Sequence, residues 1–185
     1  MQRMGLTFML LAAFALIAPQ ALAAKKTGFS VKSKKAAGDK GKRKSPTWHV
    51  TVKHKKATIK IVYARPSKRG RKLFGGLVPF GKIWRTGANE ATTLETNRAL
   101  KIKGKTLKPG KYALFTIPGK KSWVVIFNTN ANQWGAYSYS AKKDVFRVTV
   151  KARKNKLAKK FTISANAKKL ILKWGTTHIK IPYSL

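Results

Sequence analysis

"KTLKPGKYALFTI" (residues 105–117) and "SWVVIFN" (residues 122–128) decide the fold class of this chain. In the first, Pro109-Gly110 sets a turn between two runs of strand-forming residues. The second is a continuous apolar run, the composition of a strand buried on both faces. The same texture extends both ways from Thr47. "WHVTV" and "ATIKIVYA" flank "KHKKA" as a hairpin, and "ALKIKGKTL" leads into the Pro109 turn. "VFRVTVKA", "KFTISAN", "KLILKWG" and "THIKIP" follow, which makes about nine strands. Beyond the first 23 residues no segment shows a helical period. The expectation is an all-β domain over 47–185, an antiparallel two-sheet sandwich of jelly-roll type.

Lysine falls on the outward phase of these strands. Lys60 sits between Ile59 and Ile61, Lys101 and Lys103 flank Ile102, and Lys180 lies between Ile179 and Ile181. Alternate side chains of a strand point to opposite faces, so such strands set cations over water and hydrophobes over the core. Part of this usage protects sheet edges from aggregation.

The 185 residues hold 42 Lys and Arg against four Asp and Glu, a formal charge of +38. A surplus of this size repels itself and attracts polyanions. There is no cysteine, so disulfides, thiolate metal sites and lipid attachment at a cysteine are excluded. Residues 1–23 have the form of a cleaved export signal. Arg3 precedes the apolar run "LTFMLLAAFALIA", and Ala21-Leu22-Ala23 gives an A-x-A site. The run is shorter than the about 18 residues that span a bilayer. The expected destination is the periplasm or the cell exterior.

Residues 24–46 form a Lys/Ala/Gly/Ser stretch whose few apolar residues do not offset the entropy of ordering, so a disordered polybasic arm is expected. Its cations Lys25, Lys26, Lys32, Lys34, Lys35, Lys40, Lys42, Arg43 and Lys44, with Lys101, Lys103 and Lys105 of the domain, are the candidate polyanion contacts.

The region 63–95, "YARPSKRGRKLFGGLVPFGKIWRTGANEATTLE", departs from the strand texture. It concentrates Arg65, Arg69, Arg71 and Arg85 and keeps two of the four acids, Glu90 and Glu95. A guanidinium tolerates partial burial and forms paired bonds with carboxylate, phosphate or carbonyl groups. Glu90 is therefore expected to neutralise a buried Arg85 or Arg65, a pair whose breaking costs about 3–5 kcal/mol. Arg65, Trp84, Arg85, Asn89 and Glu90 make up this candidate cluster, read either as a structural ion pair or as a ligand pocket.

These stretches, with "QWGAYSY", "KKDVFRVTVK" and "LKWGTTHIKIP", resemble the bacterial domain-of-unknown-function family 2911 over about residues 46–183. The resemblance implies an exported β-rich domain, found mainly in Gram-negative bacteria, and no particular activity. The family's motif positions map to Arg65, Pro66, Gly75, Gly76, Trp84, Arg85, Thr86, Gly87, Asn89, Glu90, Gly110, Trp134, Gly135 and Asp144.

Catalytic readings find little support. Glu90 and Asp144 are the candidates for a carboxylate pair of the kind used in glycoside hydrolysis, where separations are about 5–10 Å. Asp144 is equally suited to ending a turn or pairing with Arg147. His49, His54 and His178 lack metal-ligand spacing, and no G-x-S-x-G or phosphate loop is present. No cofactor or metal site is read from the chain. Trp134, Tyr137 and Tyr139 in "QWGAYSYS" read as strand residues of the core, with stacking on sugars or bases as the rival. The leading reading is a non-enzymatic, exported protein that binds anionic envelope polymers (lipopolysaccharide, anionic lipid or cell-wall polymer) through charge. The alternatives are a small-ligand, glycan-binding or hydrolytic domain using the 65–90 cluster, nucleic-acid binding without sequence preference, and a charge that reflects solubility or host composition alone.

Overall fold

The computed structural model describes residues 28–37 and 43–185. Ten strands form one antiparallel ladder: β1 (Phe29–Lys35), β2 (Thr47–His54), β3 (Ala57–Ala64), β4 (Thr93–Thr96), β5 (Leu100–Ile102), β6 (Lys105–Leu107), β7 (Gly110–Ile117), β8 (Ser122–Asn128), β9 (Asp144–Asn166) and β10 (Lys169–Ser184). Their order across the sheet is β1-β2-β3-β4-β7-β8-β9-β10-β5-β6. Among the described residues the only helical element is the short 3-10 turn Ala141–Lys143. No helix of these residues is long and apolar enough to cross a membrane.

The all-β antiparallel class is as expected, and the two layers are leaves of a single ladder. The 23-residue β9 joins them: residues 144–151 pair with β8, and 152–166 pair with β10. Three strands, β4, β7 and β8, lie between β3 and β9 in the ladder, yet β3 and β9 meet directly. Lys68 N donates to Lys159 O at 2.7 Å, Phe161 N donates to Pro66 O at 2.8 Å, and Tyr63 packs edge-on to Phe161. The sheet therefore curls until the continuation of β3 bonds to β9. Sheet twist, accumulated over many strands, favours this curl, and β1 and β6 remain the edge strands.

Alternation explains what the curl encloses. Val50 and Val52 of β2, Ile59 and Ile61 of β3, Leu114 of β7 and Val125 and Phe127 of β8 face Phe161, Ile163, Leu172, Trp174, Ile179 and Ile181 across one core. Lys60, Lys101 and Lys180 take the opposite phase and are exposed. β7 and β8 are buried on both faces, as the run "SWVVIFN" foretells. Their outer residues Ala113, Phe115 and Ile126 form a second cluster, covered by Ile83, Ala136 and Tyr139.

Several expected boundaries move. "VFRVTVKA" and "KFTISAN" are one strand, as are "KLILKWG" and "THIKIP". In the latter a bulge sits at Gly175, where φ is +58° and Leu73 occupies the space that a Cβ would need. "ALKIKGKTL" splits into the β5–β6 hairpin, and "QWGAYSYS" is a loop.

The arm is corrected over part of its length. Phe29–Lys35 pair with β2 from Phe29↔His54 to Lys35↔Trp48, so this segment is a strand and not disordered. Its low hydrophobicity is outweighed because β2 offers an otherwise unpaired row of N–H and C=O groups. Phe29 and Val31 turn inward against the core, while Lys32 and Lys34 are exposed. The signal segment 1–23 and the candidates Lys25, Lys26, Lys40 and Lys42 lie outside the described residues.

Candidate functional site

The segment 84–92 is a hydrogen-bonded knot. Trp84 exchanges backbone bonds with Thr116 of β7 at 2.7 and 2.9 Å, which docks the segment on the sheet. The Trp84 indole N–H donates to Gly87 O at 3.0 Å, and its ring stacks on Trp174 at 5.9 Å. Thr86 is fully buried at φ +56°, a strained conformation for a β-branched residue. It is held there by bonds at both ends: its hydroxyl donates to Thr116 Oγ1 at 3.1 Å, and its carbonyl accepts from Thr92 Oγ1 at 2.8 Å. Threonines thus satisfy one another where the loop enters the protein. Trp84, Thr86 and Thr92 of "WRTGANEATT" fold the loop.

Arg65 finds no carboxylate. Its Nε donates to Phe161 O at 3.2 Å, its Nη2 to Thr162 Oγ1 at 3.0 Å, and the guanidinium lies 4.3 Å from the Trp48 ring centre. It clamps the end of β3 to β9 with neutral acceptors and an aromatic face. Arg85 is half-buried, and its Nε has no hydrogen-bond partner.

The expected buried pair of Glu90 with Arg85 or Arg65 is overturned. Arg43 Nη1 donates to both Glu90 oxygens, at 2.8 and 2.9 Å, and the two side chains are 45% and 46% exposed. Beside it Asn89, at φ +58°, donates from Nδ2 to Ser45 O at 3.2 Å. The acidic end of the motif faces outward and holds the chain that leads into β2. Sequence reasoning missed this because it sought the partner of Glu90 among the arginines of its own region.

Asp144 belongs to a different cluster. It accepts from Asn128 Nδ2 at 2.7 Å, from the Tyr139 hydroxyl at 2.8 Å and from Arg147 Nε at 2.8 Å. The Arg147 partner is the one expected, and Asp144 also ends the 3-10 turn. Burial and the neighbouring carboxylate push the Tyr139 phenol up to about 12, and the Asp144 hydrogen bond raises Arg147 further. The cluster is a network of satisfied partners that ties the 131–143 loop to β8 and β9.

Beside the Arg43–Glu90 pair lies an open cleft of about 780 Å³. Val62, Ala64 and Ala91 give it a small-residue apolar floor, the Arg43–Glu90 pair stands on one side, and Trp134 on the rim is 58% exposed. Two backbone bonds place Trp134 beside the knot, Ala91 N to Gln133 O at 3.1 Å and Gly135 N to Asn89 O at 3.0 Å. Gln133 donates to Asn130 O, which leaves its buried Oε1 without a partner. Lys111 adds an ammonium with no ion pair among the described residues. Trp134 and Tyr137, expected in the core, are both exposed, Tyr137 at 85%. They sit on a loop that covers the outside of the sheet, and only Tyr139 turns inward, onto Phe115.

Of the candidate cluster, Glu90 alone lines the cleft. Trp84 is in the core, and Arg65, Arg85 and Asn89 act beside it. Of the polyanion candidates, Lys32, Lys34, Lys35, Arg43, Lys44, Lys101, Lys103 and Lys105 are exposed. Lys103 Nζ donates to Thr149 O at 2.9 Å. Among the described residues no three His, Asp or Glu side chains gather as metal ligands.

These features define an antiparallel β domain, curled around one aromatic-rich core, with a rigid loop beside an open cleft. The family model described as "Protein of unknown function (DUF2911)" matches residues 45–183, and the chain belongs to that family. No curated protein and no solved structure matches it.

Proposed function

We propose that this is an exported, non-enzymatic binding protein that holds anionic polymers of the bacterial envelope by charge. The observation behind this reading is the state of its few carboxylates. Glu90, Glu95 and Asp144, the acids among the described residues, each face a cation already, Arg43, Lys60 and Arg147. Among the described residues the other lysines have no ion pair, and the chain as a whole is at +38. The same pairing argues against acid–base catalysis, since Glu90 and Asp144 lie in separate bonded clusters.

The test is a titration of residues 24–185 against lipopolysaccharide, duplex DNA and a neutral glycan over a range of salt. Binding by charge gives an affinity that falls steeply with salt. For DNA, about 6–10 phosphate contacts lose about 10³–10⁵ in affinity between about 50 and 200 mM. DNA binding is expected to ignore base sequence.

A second reading is favoured by the cleft itself. An exposed indole at the rim of an open cleft suits a sugar ring, which stacks through its C–H face. Salt-independent binding of a neutral glycan, abolished by Trp134→Ala, makes this the function and the charge secondary.

A further inference from the structure

One cationic surface is built from the turn 68–72 and the neighbouring part of β9. The turn "KRGRK" (68–72) is rigid: Arg71 donates to Lys68 O at 3.1 Å and to Ser67 O at 2.8 Å. It lies against β9 through the Ser67↔Lys160 bridge and the Lys68–Lys159 bond, which brings Lys159 and Lys160 beside Lys68, Arg69 and Lys72. No acid occurs from Ala64 to Asn89 or from Val145 to Leu185, the two segments that build this face.

Within the cationic field stand exposed hydrophobes. Leu77 is 46% exposed, Phe80 36% and Leu157 55%. Phe80 and Leu157 line one recess of about 270 Å³ together with Lys68, Lys72 and Trp174. The loop that carries Leu77 and Phe80 is pinned by Leu77 N to Lys72 O at 3.0 Å and Val78 N to Leu73 O at 2.8 Å. Leu73 and Val78 are buried in the core by the same turn that leaves Leu77 outside. The exposure belongs to an ordered loop, so its apolar tips are presented without an ordering cost.

We propose that this face docks on an anionic lipid bilayer. Leu77, Phe80 and Leu157 enter the headgroup region, and Lys68, Arg69, Lys72, Lys159 and Lys160 meet the lipid phosphates. The proposal rests on the charge reading above and names the partner. Apolar area plus basic residues is the combination that binds an anionic interface. Against a nucleic acid or a soluble polymer the basic residues act alone, and salt screens them.

Residues 24–185 are mixed with phosphatidylglycerol/phosphatidylcholine vesicles, with phosphatidylcholine vesicles, and with random-sequence duplex DNA, at about 50 and about 500 mM sodium chloride. The same is done with the triple variant Leu77→Ser/Phe80→Ser/Leu157→Ser, whose fold is checked by its melting curve. The wild type is expected to stay on anionic vesicles at high salt after it has left DNA. The variant keeps low-salt binding and loses about tenfold or more in high-salt vesicle partition. Equal salt sensitivity for vesicles and DNA, equal partition of variant and wild type, or equal binding to pure phosphatidylcholine overturns membrane docking and leaves the charge reading intact. No binding to anionic vesicles or DNA at low salt overturns both.

Discussion

Arg43 Nη1 lies 2.8 Å from one oxygen of Glu90 and 2.9 Å from the other, across 47 residues of chain. The pair is half exposed, and such pairs contribute about 0–1 kcal/mol. Its effect is local: it fixes the polybasic segment where that segment enters β2. Glu90→Gln is therefore expected to leave global stability within about 1 kcal/mol of wild type. Trypsin is expected to cut at Arg43 and Lys44 faster in the variant. A melting temperature and a timed digest check both, and a large loss of stability contradicts this placement.

Asp144 is the costly carboxylate. Its side chain is 8% exposed and accepts from Asn128, Tyr139 and Arg147. Asp144→Ala strands these donors and is expected to destabilise the fold by about 2–4 kcal/mol, below the full cost of a buried pair because Arg147 reaches solvent. Urea unfolding of wild type and variant measures the difference. Asp144→Asn, which keeps acceptor capacity, is expected to lose less.

At Gly87 a Cβ would meet Ala64 O at 3.0 Å and Thr92 Oγ1 at 3.1 Å. The first is backbone of β3 and cannot rotate away, and the second already holds Thr86. Gly87→Ala is expected to destabilise by about 1–3 kcal/mol through overpacking. Thermal unfolding gives the value, and a neutral result shows that the knot can shift.

His178 supplies the pH dependence. Burial, with Lys180, Lys173 and Arg153 around it, holds its imidazole below the ordinary histidine range. The unfolded chain then binds the proton more readily than the folded one. Stability is full above the unfolded value of about 6.5 and falls as pH drops below it. Melting temperatures at pH 7.5 and pH 5 are expected to differ more for wild type than for His178→Gln. An equal difference removes His178 as the cause.

The antiparallel β class, the phase of Lys60, Lys101 and Lys180 and the two-sided burial of "SWVVIFN" were legible in the sequence, because a strand's period of two and its apolar content are local properties. The Asp144–Arg147 pair was legible for the same reason, its members being three residues apart. The partner of Glu90, the pairing of Phe29–Lys35 with β2, the exposure of Trp134 and the cleft beside it were decided by the tertiary structure alone. Each depends on where the curl of a ten-stranded ladder brings residues far apart in the chain, and no local pattern of charge or hydrophobicity encodes that meeting.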